Sequence, residues 1–238
     1  MNESTNQNPR LADLNEKQIE AVTTSNESAL ILAGAGSGKT KVLTSRFAWL
    51  IQNQTTSPGS IVAVTFTNKA AREMLIRISS QLPINTRGMW VGTFHGLCNR
   101  FLKKHYKDAD LPEIFQILDS ADQKSAVKRV MKSINIDEEL FTSKDLQYFI
   151  NANKEEGVRS SHYQAFDDIS KKKNEAYTAY EKQCQKEGVV DFAELLLRCL
   201  ELFQKNITIR EHYQSTFKHI LVDEFQDTSK LQYQWLKL

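Results

Sequence analysis

Ala33-Gly34-Ala35-Gly36-Ser37-Gly38-Lys39-Thr40 is the stretch on which the reading of this chain turns. The apolar run Ala29 to Leu32 precedes it and a helical pattern follows, so the spacing predicts strand, glycine-rich turn, helix. Glycines let backbone N–H groups approach an anion closely, and the following helix points its positive N-terminus at the same spot. In the pattern G-x-x-x-x-G-K-[ST] the lysine, here Lys39, reaches the β- and γ-phosphates of a nucleoside triphosphate, and the hydroxyl of Thr40 faces Mg²⁺. Ala33 stands where the pattern has its first glycine, and so small a side chain weakens the match only slightly.

Leu221-Val222-Asp223-Glu224-Phe225-Gln226-Asp227 supplies the partners that such a loop lacks. Asp223, just past an apolar strand, is placed to hold the metal through water, and Glu224 to orient and deprotonate an attacking water. An Asp-Glu pair alone would read as a solvated strand end; the pairing with Lys39 changes that. Lys39, Asp223 and Glu224 are the expected catalytic set, Thr40 and Asp223 the expected Mg²⁺ ligands, and ATP the expected substrate. Asp227 reads as a helix cap or a structural acid.

At 238 residues the chain can bury a sizeable core, as one large domain or one domain with an insert. A net charge of +2 neither requires nor excludes nucleic acid, because local patches count for more than the sum. Cys98, Cys184 and Cys199 are odd in number and widely spaced, with no disulfide framework or metal spacing, so the cytoplasm is the expected compartment. Residues 1–10 are polar, lack a signal region and read as a disordered tail. No run approaches membrane-spanning length.

Short apolar runs at Leu30–Leu32, Ile61–Thr65, Met89–Thr93 and Ile220–Val222 alternate with helical patterns, which indicates an α/β fold with a covered parallel sheet. Ala70, Ala71, Met74, Leu75, Ile78 and Leu82 form one apolar helix face. The 184 positions from Lys39 to Asp223 (223 − 39) exceed what intervening βα units use, at about 30–40 residues each. The surplus lies between about Tyr106 and Val190, where helix signals dominate; Ser120-x-x-Gln123 resembles a capping box there. Asp191-x-x-Glu194 opens another amphipathic helix through Phe192, Leu195, Leu196, Cys199, Leu200 and Phe203. The expected organisation is an α/β domain over 11–106 and 191–238, interrupted by a helical insert over 107–190. Trp235-Leu236-Lys237-Leu238 still looks helical and has no glycine stop, so the sequence reads as the front of a longer polypeptide.

With these residues assembled, the chain resembles superfamily 1 DNA helicases of the UvrD/Rep type, from Leu14 to Leu238. Leu14-Asn15-x-x-Gln18 looks like the family's adenine-reading motif, and 33–40 like its phosphate loop, alanine included. Val64-Thr65-Phe66-Thr67-Asn68-Lys69-Ala70-Ala71 matches motif Ia, Gly92-Thr93-Phe94-His95-Gly96-Leu97 motif Ib, and 221–228 motif II. The stretches 115–120 and 190–196 look like the helicase II branch. The resemblance implies a RecA-like phosphate-loop NTPase domain (1A) with an inserted all-helical domain 1B, and ATP-driven 3′→5′ movement on single-stranded DNA in repair. Gln18, Ala33, Gly34, Ala35, Gly36, Ser37, Gly38, Lys39, Thr40 and Lys41 form the implied nucleotide set; Lys41 stands where the family commonly has Arg, so a planar fork of donors is lost while the charge remains. Motifs III to VI and the second RecA-like domain, with its arginine fingers, are absent from these residues.

Thr65, Phe66, Thr67, Asn68, Thr93 and His95 are the implied DNA contacts, with single-stranded DNA and a duplex bearing a 3′ overhang as partners. Phe66 reads either as a base-stacking platform or as a core aromatic; spacing favours the core, the polar neighbours and the resemblance favour stacking. His95 reads equally as a phosphate or sugar contact and as a residue that fixes the turn. Lys171-Lys172-Lys173 reads as a solvated helix face. Two other functions fit the same residues: the motor of a helicase–nuclease, and a nucleotide- and DNA-binding module without turnover.

Overall fold

The computed structural model describes residues 11–25, 27–34, 36–53 and 56–238. The expected tail over 1–10 and the loop residue Ala35 lie outside the described residues. The described chain forms two compact units, one of residues up to Leu97 together with Glu211–Asp227, the other of Cys98–Arg210 together with Thr228–Leu238.

The first unit is built on β1 (Ile61–Thr65), whose Ile-Val-Ala-Val-Thr sequence is buried at every position. β-Branched residues suit such a strand, and burial on both faces explains why it reads as a continuous apolar run. β1 pairs in parallel with β2 (Trp90–Thr93) on one side, Thr65 opposite Thr93, and with β5 (His219–Val222) on the other, Val64 opposite Val222. Helices α1 (Glu16–Thr23), α2 (Lys39–Gln52) and α3 (Asn68–Gln81) belong to the same unit. Phe47 and Leu50 of α2 and Met74 and Ile78 of α3 close a core over Ile61 and Ala63. The apolar face expected of α3 is the one that is buried.

The strand expected over 29–32 is absent. These residues carry no ladder bond, and Leu30, Ile31 and Leu32 are 64%, 44% and 85% exposed. A strand exists only where a neighbour satisfies its N–H and C=O groups. Within the described residues β5 forms the edge of the three-stranded sheet, and nothing pairs with 29–32.

The second unit is helical: α5 (Ser120–Ser133), α6 (Ser143–Glu155), α7 (Asp168–Glu187), α8 (Phe192–Lys205) and α10 (Lys230–Leu236), with the greater part of α4 (Phe94–Lys104) and the first turn of α9 (Ile207–Thr216). A short parallel pair, β3 (Gln116–Ile117) with β4 (Val189–Val190), closes its loop end. Gly188 ends α7 at φ +66, and a Cβ there would come within 2.8 Å of Pro112, so the position requires glycine. Its core joins Val127, Val130 and Met131 to Leu146, Ile150, Tyr177 and Tyr180.

Two helix readings are corrected. The N-cap of α5 is Asp119, which accepts from the N–H groups of Ala121 and Asp122. Gln123 is instead buried: its Oε1, the acceptor that a capping box would use, takes hydrogen bonds from Gln147 and Asn151, while its Nε2 donates to Asn151 and Asp191. Phe192 is half exposed, since the first residue of α8 points off the face that buries Leu195, Leu196, Cys199 and Phe203. Lys171 and Lys172 pair with Asp168 and Glu175 on a solvated face, while Lys173 lies over the rings of Phe141 and Phe149.

An ionic web that the sequence does not announce lies inside this unit. Lys154 is 2% exposed and its ammonium meets Asp191 at 2.7 Å and Glu194 at 2.9 Å. Arg159 binds Glu194, Glu181 and Glu201, Arg198 binds Glu194 at 2.7 Å, and Tyr180 donates to Asp191. Burial alone would push the Glu194 carboxyl up; Lys154, Arg159 and Arg198 overcome it and hold the group well below the ordinary carboxylate range. A group depressed in this way stabilises the fold fully above its unfolded value and loses that contribution as pH falls through its folded one. Unfolding free energy measured in urea is therefore expected to fall steadily below the ordinary glutamate value of 4.5. Lys154→Ala, which leaves the buried Asp191 without its cation and removes one of three from Glu194, is expected to cost about 3–5 kcal/mol at neutral pH.

Candidate functional site

Parallel pairing sends the carboxyl ends of β2, β1 and β5 to one edge of the sheet, and the sequence motifs follow those ends directly. Thr93 ends β2 with His95 just beyond it, Thr65 ends β1 with Phe66 to Asn68 beyond it, and Asp223 and Glu224 follow β5. The N–H of Asp223 donates to the carbonyl of Val64 at 2.9 Å, so the ladder carries one residue past the strand and fixes this acid against β1.

The loop of 33–40 brings its parts to the same edge. Gly36 and Gly38 lie at φ +76 and +85, the left-handed region that glycine occupies without strain. Gly38 is the N-cap of α2 and offers no side chain, so the first N–H groups of that helix face outward with the positive end of its dipole. Lys39 Nζ donates to the carbonyls of Ala33 and Gly34 at 3.3 and 3.4 Å, along the loop itself. Thr40 Oγ1 donates to Asp223 Oδ2 at 3.4 Å. That contact joins residues 183 positions apart and brings the two motifs together.

Asp223 is buried. Burial and then the neighbouring Glu224 push its carboxyl up, while Thr40 and Lys39 pull the other way. Thr40 and Asp223 offer hard oxygen donors, and among the described residues no group of three or more His, Cys, Asp or Glu is arranged to hold a metal ion by itself. This donor set suits Mg²⁺, which takes one or two protein oxygens and completes its octahedron with phosphates and water.

Gln18 is fixed from both ends. Its Oε1 accepts from the N–H of Asn15 at 3.0 Å, completing a capping box on α1, and its Nε2 donates to the carbonyl of Ser37 at 2.9 Å. The amide thus touches the loop that it was expected to accompany. Lys41 donates to the carbonyl of Asp13 at 2.6 Å, tying the chain before α1 to α2. Arg46 carried no signal in the sequence. It is buried, donates to the carbonyls of Val22, Thr24 and Ser25, and lies 5.0 Å from the centre of the Trp49 ring. It closes the C-terminal carbonyls of α1 and holds that helix, with Gln18, on α2.

On the other side of β1 the polar strand ends divide by burial. Thr65 and Thr93 are buried, and Thr93 Oγ1 accepts from the N–H of Gly96 at 3.1 Å, shaping the start of α4. Thr67 is exposed and caps α3, and Asn68 is exposed at its first position. Phe66 is partly buried, its ring edge-on to Phe94 at 5.8 Å. Burial pushes the His95 imidazole down, so at neutral pH it is a neutral hydrogen-bonding group.

Among the described residues Glu224 is the non-glycine residue of this edge with positive φ, at +50, a region that such residues seldom adopt. Gln226 donates to its carboxylate, and Asp227 closes the turn through its N–H on the Glu224 carbonyl at 2.9 Å. Asp227 is not a cap; Ser229 caps α10.

Gly38 and Glu224 test the same region of backbone space in opposite directions. Gly38→Ala is expected to cost about 1–2 kcal/mol, since a Cβ meets both the left-handed penalty and Gln18 Nε2 at 3.0 Å. Glu224→Asn is expected to cost nothing or to stabilise by up to about 1 kcal/mol, because Asn accepts φ > 0 more readily. Chemical unfolding of the two variants checks both values.

Comparison with known proteins follows this geometry. The family model for the UvrD/REP helicase N-terminal domain matches residues 14–238. The chain is 49% identical over 229 residues to DNA helicase II of Salmonella typhimurium (strain LT2), covering 96% of this chain and 32% of that protein. It is 50% identical over 233 residues to DNA helicase II of Haemophilus influenzae, and 38% identical over 236 residues to ATP-dependent DNA helicase PcrA of Staphylococcus aureus (strain Mu50), again covering 32% of each relative. The chain thus spans about a third of the length of these relatives. A family match that runs from Leu14 to Leu238 and takes in both motifs of the sheet edge is decisive: the chain belongs to the UvrD/REP helicase family, whose N-terminal domain it represents.

Proposed function

We propose that this chain is the ATP-binding front portion of an ATP-dependent DNA helicase of repair, acting in the cytoplasm and moving 3′→5′ on single-stranded DNA. The observation that carries the reading is the contact of Thr40 with Asp223, which unites a phosphate loop with an acidic strand end. In this reading residues 33–41 and Gln18 hold ATP. Backbone N–H groups at the start of α2 receive the phosphates, and Lys39 leaves the loop carbonyls for the β- and γ-oxygens. Mg²⁺, when bound with the nucleotide at Thr40 and Asp223, supplies further positive charge to the phosphates.

Glu224 is the general base. It takes a proton from water as the water oxygen bonds to the γ-phosphorus and the bond from that phosphorus to the bridging oxygen of ADP breaks. Thr65, Phe66, Thr67, Asn68, Thr93 and His95 line the neighbouring strand ends and form the DNA grip, with exposed Thr67 and Asn68 and the partly buried Phe66 best placed to touch a strand. In this reading 1A covers 11–106 and 191–238 and helical 1B covers 107–190, whereas the compact units divide at Leu97, Arg210 and Asp227. A second RecA-like domain of the same polypeptide supplies the arginine charge on the γ-phosphate, and a duplex with a 3′ overhang is the substrate for unwinding.

Lys39→Ala is expected to weaken binding of a fluorescent ATP analogue to this chain by more than about 1 kcal/mol, because a charge on the phosphates is lost. Unchanged affinity would refute the loop assignment. In the full-length protein Glu224→Gln is expected to bind ATP normally and to lose most hydrolysis, measured as phosphate release.

A further inference from the structure

The turn after β5 holds its acids with a neutral side chain. Gln226 Nε2 donates to Oε2 of Glu224 and lies 3.5 Å from Oδ2 of Asp227. The backbone supports the same arrangement, since the Asp227 N–H closes the turn on the Glu224 carbonyl at 2.9 Å and Glu224 sits at φ +50. Asp223, Glu224 and Asp227 place three carboxylates within five positions. An amide is the side chain that can bridge two of them by donating hydrogen bonds while neither adding charge nor giving up a proton.

A glutamate side chain is long, and its carboxylate must be fixed before it can meet a water in one geometry. The left-handed backbone sets the direction in which the Glu224 side chain leaves the turn. The amide of Gln226 then holds one carboxylate oxygen and leaves Oε1 for a water proton. We propose that Gln226 is a positioning residue for hydrolysis, acting through Glu224 to set the orientation of the base. This rests on the reading of Glu224 as general base given above.

The test uses the full-length protein, steady-state hydrolysis with single-stranded DNA present, and single-turnover rates for the slowest variants. Gln226→Ala is expected to lower kcat between about 10- and 100-fold, the range that misplacement of a catalytic group produces, with KM for ATP and nucleotide affinity within about twofold of wild type. Gln226→Glu, which loses the donor and adds a charge beside Glu224, is expected to fall at least as far. Gln226→Asn keeps the amide on a shorter arm and is expected to recover part of the loss. In a Glu224→Gln background, Gln226→Ala is expected to have no further effect, because the two residues act as one unit.

Wild-type kcat in Gln226→Ala, with Glu224→Gln inactive, overturns the positioning role and leaves the base reading intact. A fall in kcat matched by an equal loss of nucleotide affinity overturns it as well, since it marks collapse of the turn. Normal hydrolysis by Glu224→Gln overturns the base reading, and the positioning role with it.

Discussion

Everything at the candidate site depends on one five-residue strand. Ile61–Thr65 is buried at each position and hydrogen-bonded on both edges, so its register leaves no freedom. Because both neighbours run parallel to it, all three strands deliver their polar endings to the same edge. Thr93, Thr65 and Asp223 are set side by side by backbone geometry before any side-chain contact is made. The cores beneath, with Met74 and Ile78 on one element and Phe47 and Leu50 on another, serve to keep that strand dry. A one-residue slip of β5 would carry Asp223 away from Thr40 and separate the two halves of the nucleotide reading.

Much of this was legible in the sequence because the signals were local. A glycine-rich turn before a helix, an acid pair after an apolar run, and the spacing of Ala71, Met74 and Ile78 each constrain their own neighbourhood. Family resemblance added the proposed DNA contacts, where spacing alone favoured a core position for Phe66. What was not legible depends on distant partners. Residues 29–32 have strand chemistry, yet a strand needs a neighbour, and the described residues offer none. Gln123 looked like part of a cap and is claimed by Asn151 and Asp191, far along the chain. The left-handed Glu224 and the carbonyl clamp of Arg46 are consequences of tertiary structure, with no local pattern to betray them.

The near-neutral net charge concealed a division of labour. In the helical unit Lys154, Arg159 and Arg198 are spent on Asp191, Glu181, Glu194 and Glu201, inside or just beneath the surface. Such a web brings little net stability, but it tolerates no missing member. It ties Lys154 of α6 to Asp191 and Glu194 at the start of α8 by charge. In the sheet unit the polar groups are arranged for use: a lysine on loop carbonyls, an acid raised by burial, and a glutamate in a strained backbone. The first unit is poised where the second is locked.

The central claim is that the phosphate loop and the acidic turn after β5 form one Mg-ATP site. Backbone hydrogen exchange of this chain, with and without a non-hydrolysable Mg-ATP analogue, tests it directly. Slowed exchange in both 33–41 and 222–227, at the same nucleotide concentration, is the predicted result. Protection of the loop alone, or of neither segment, would contradict the account.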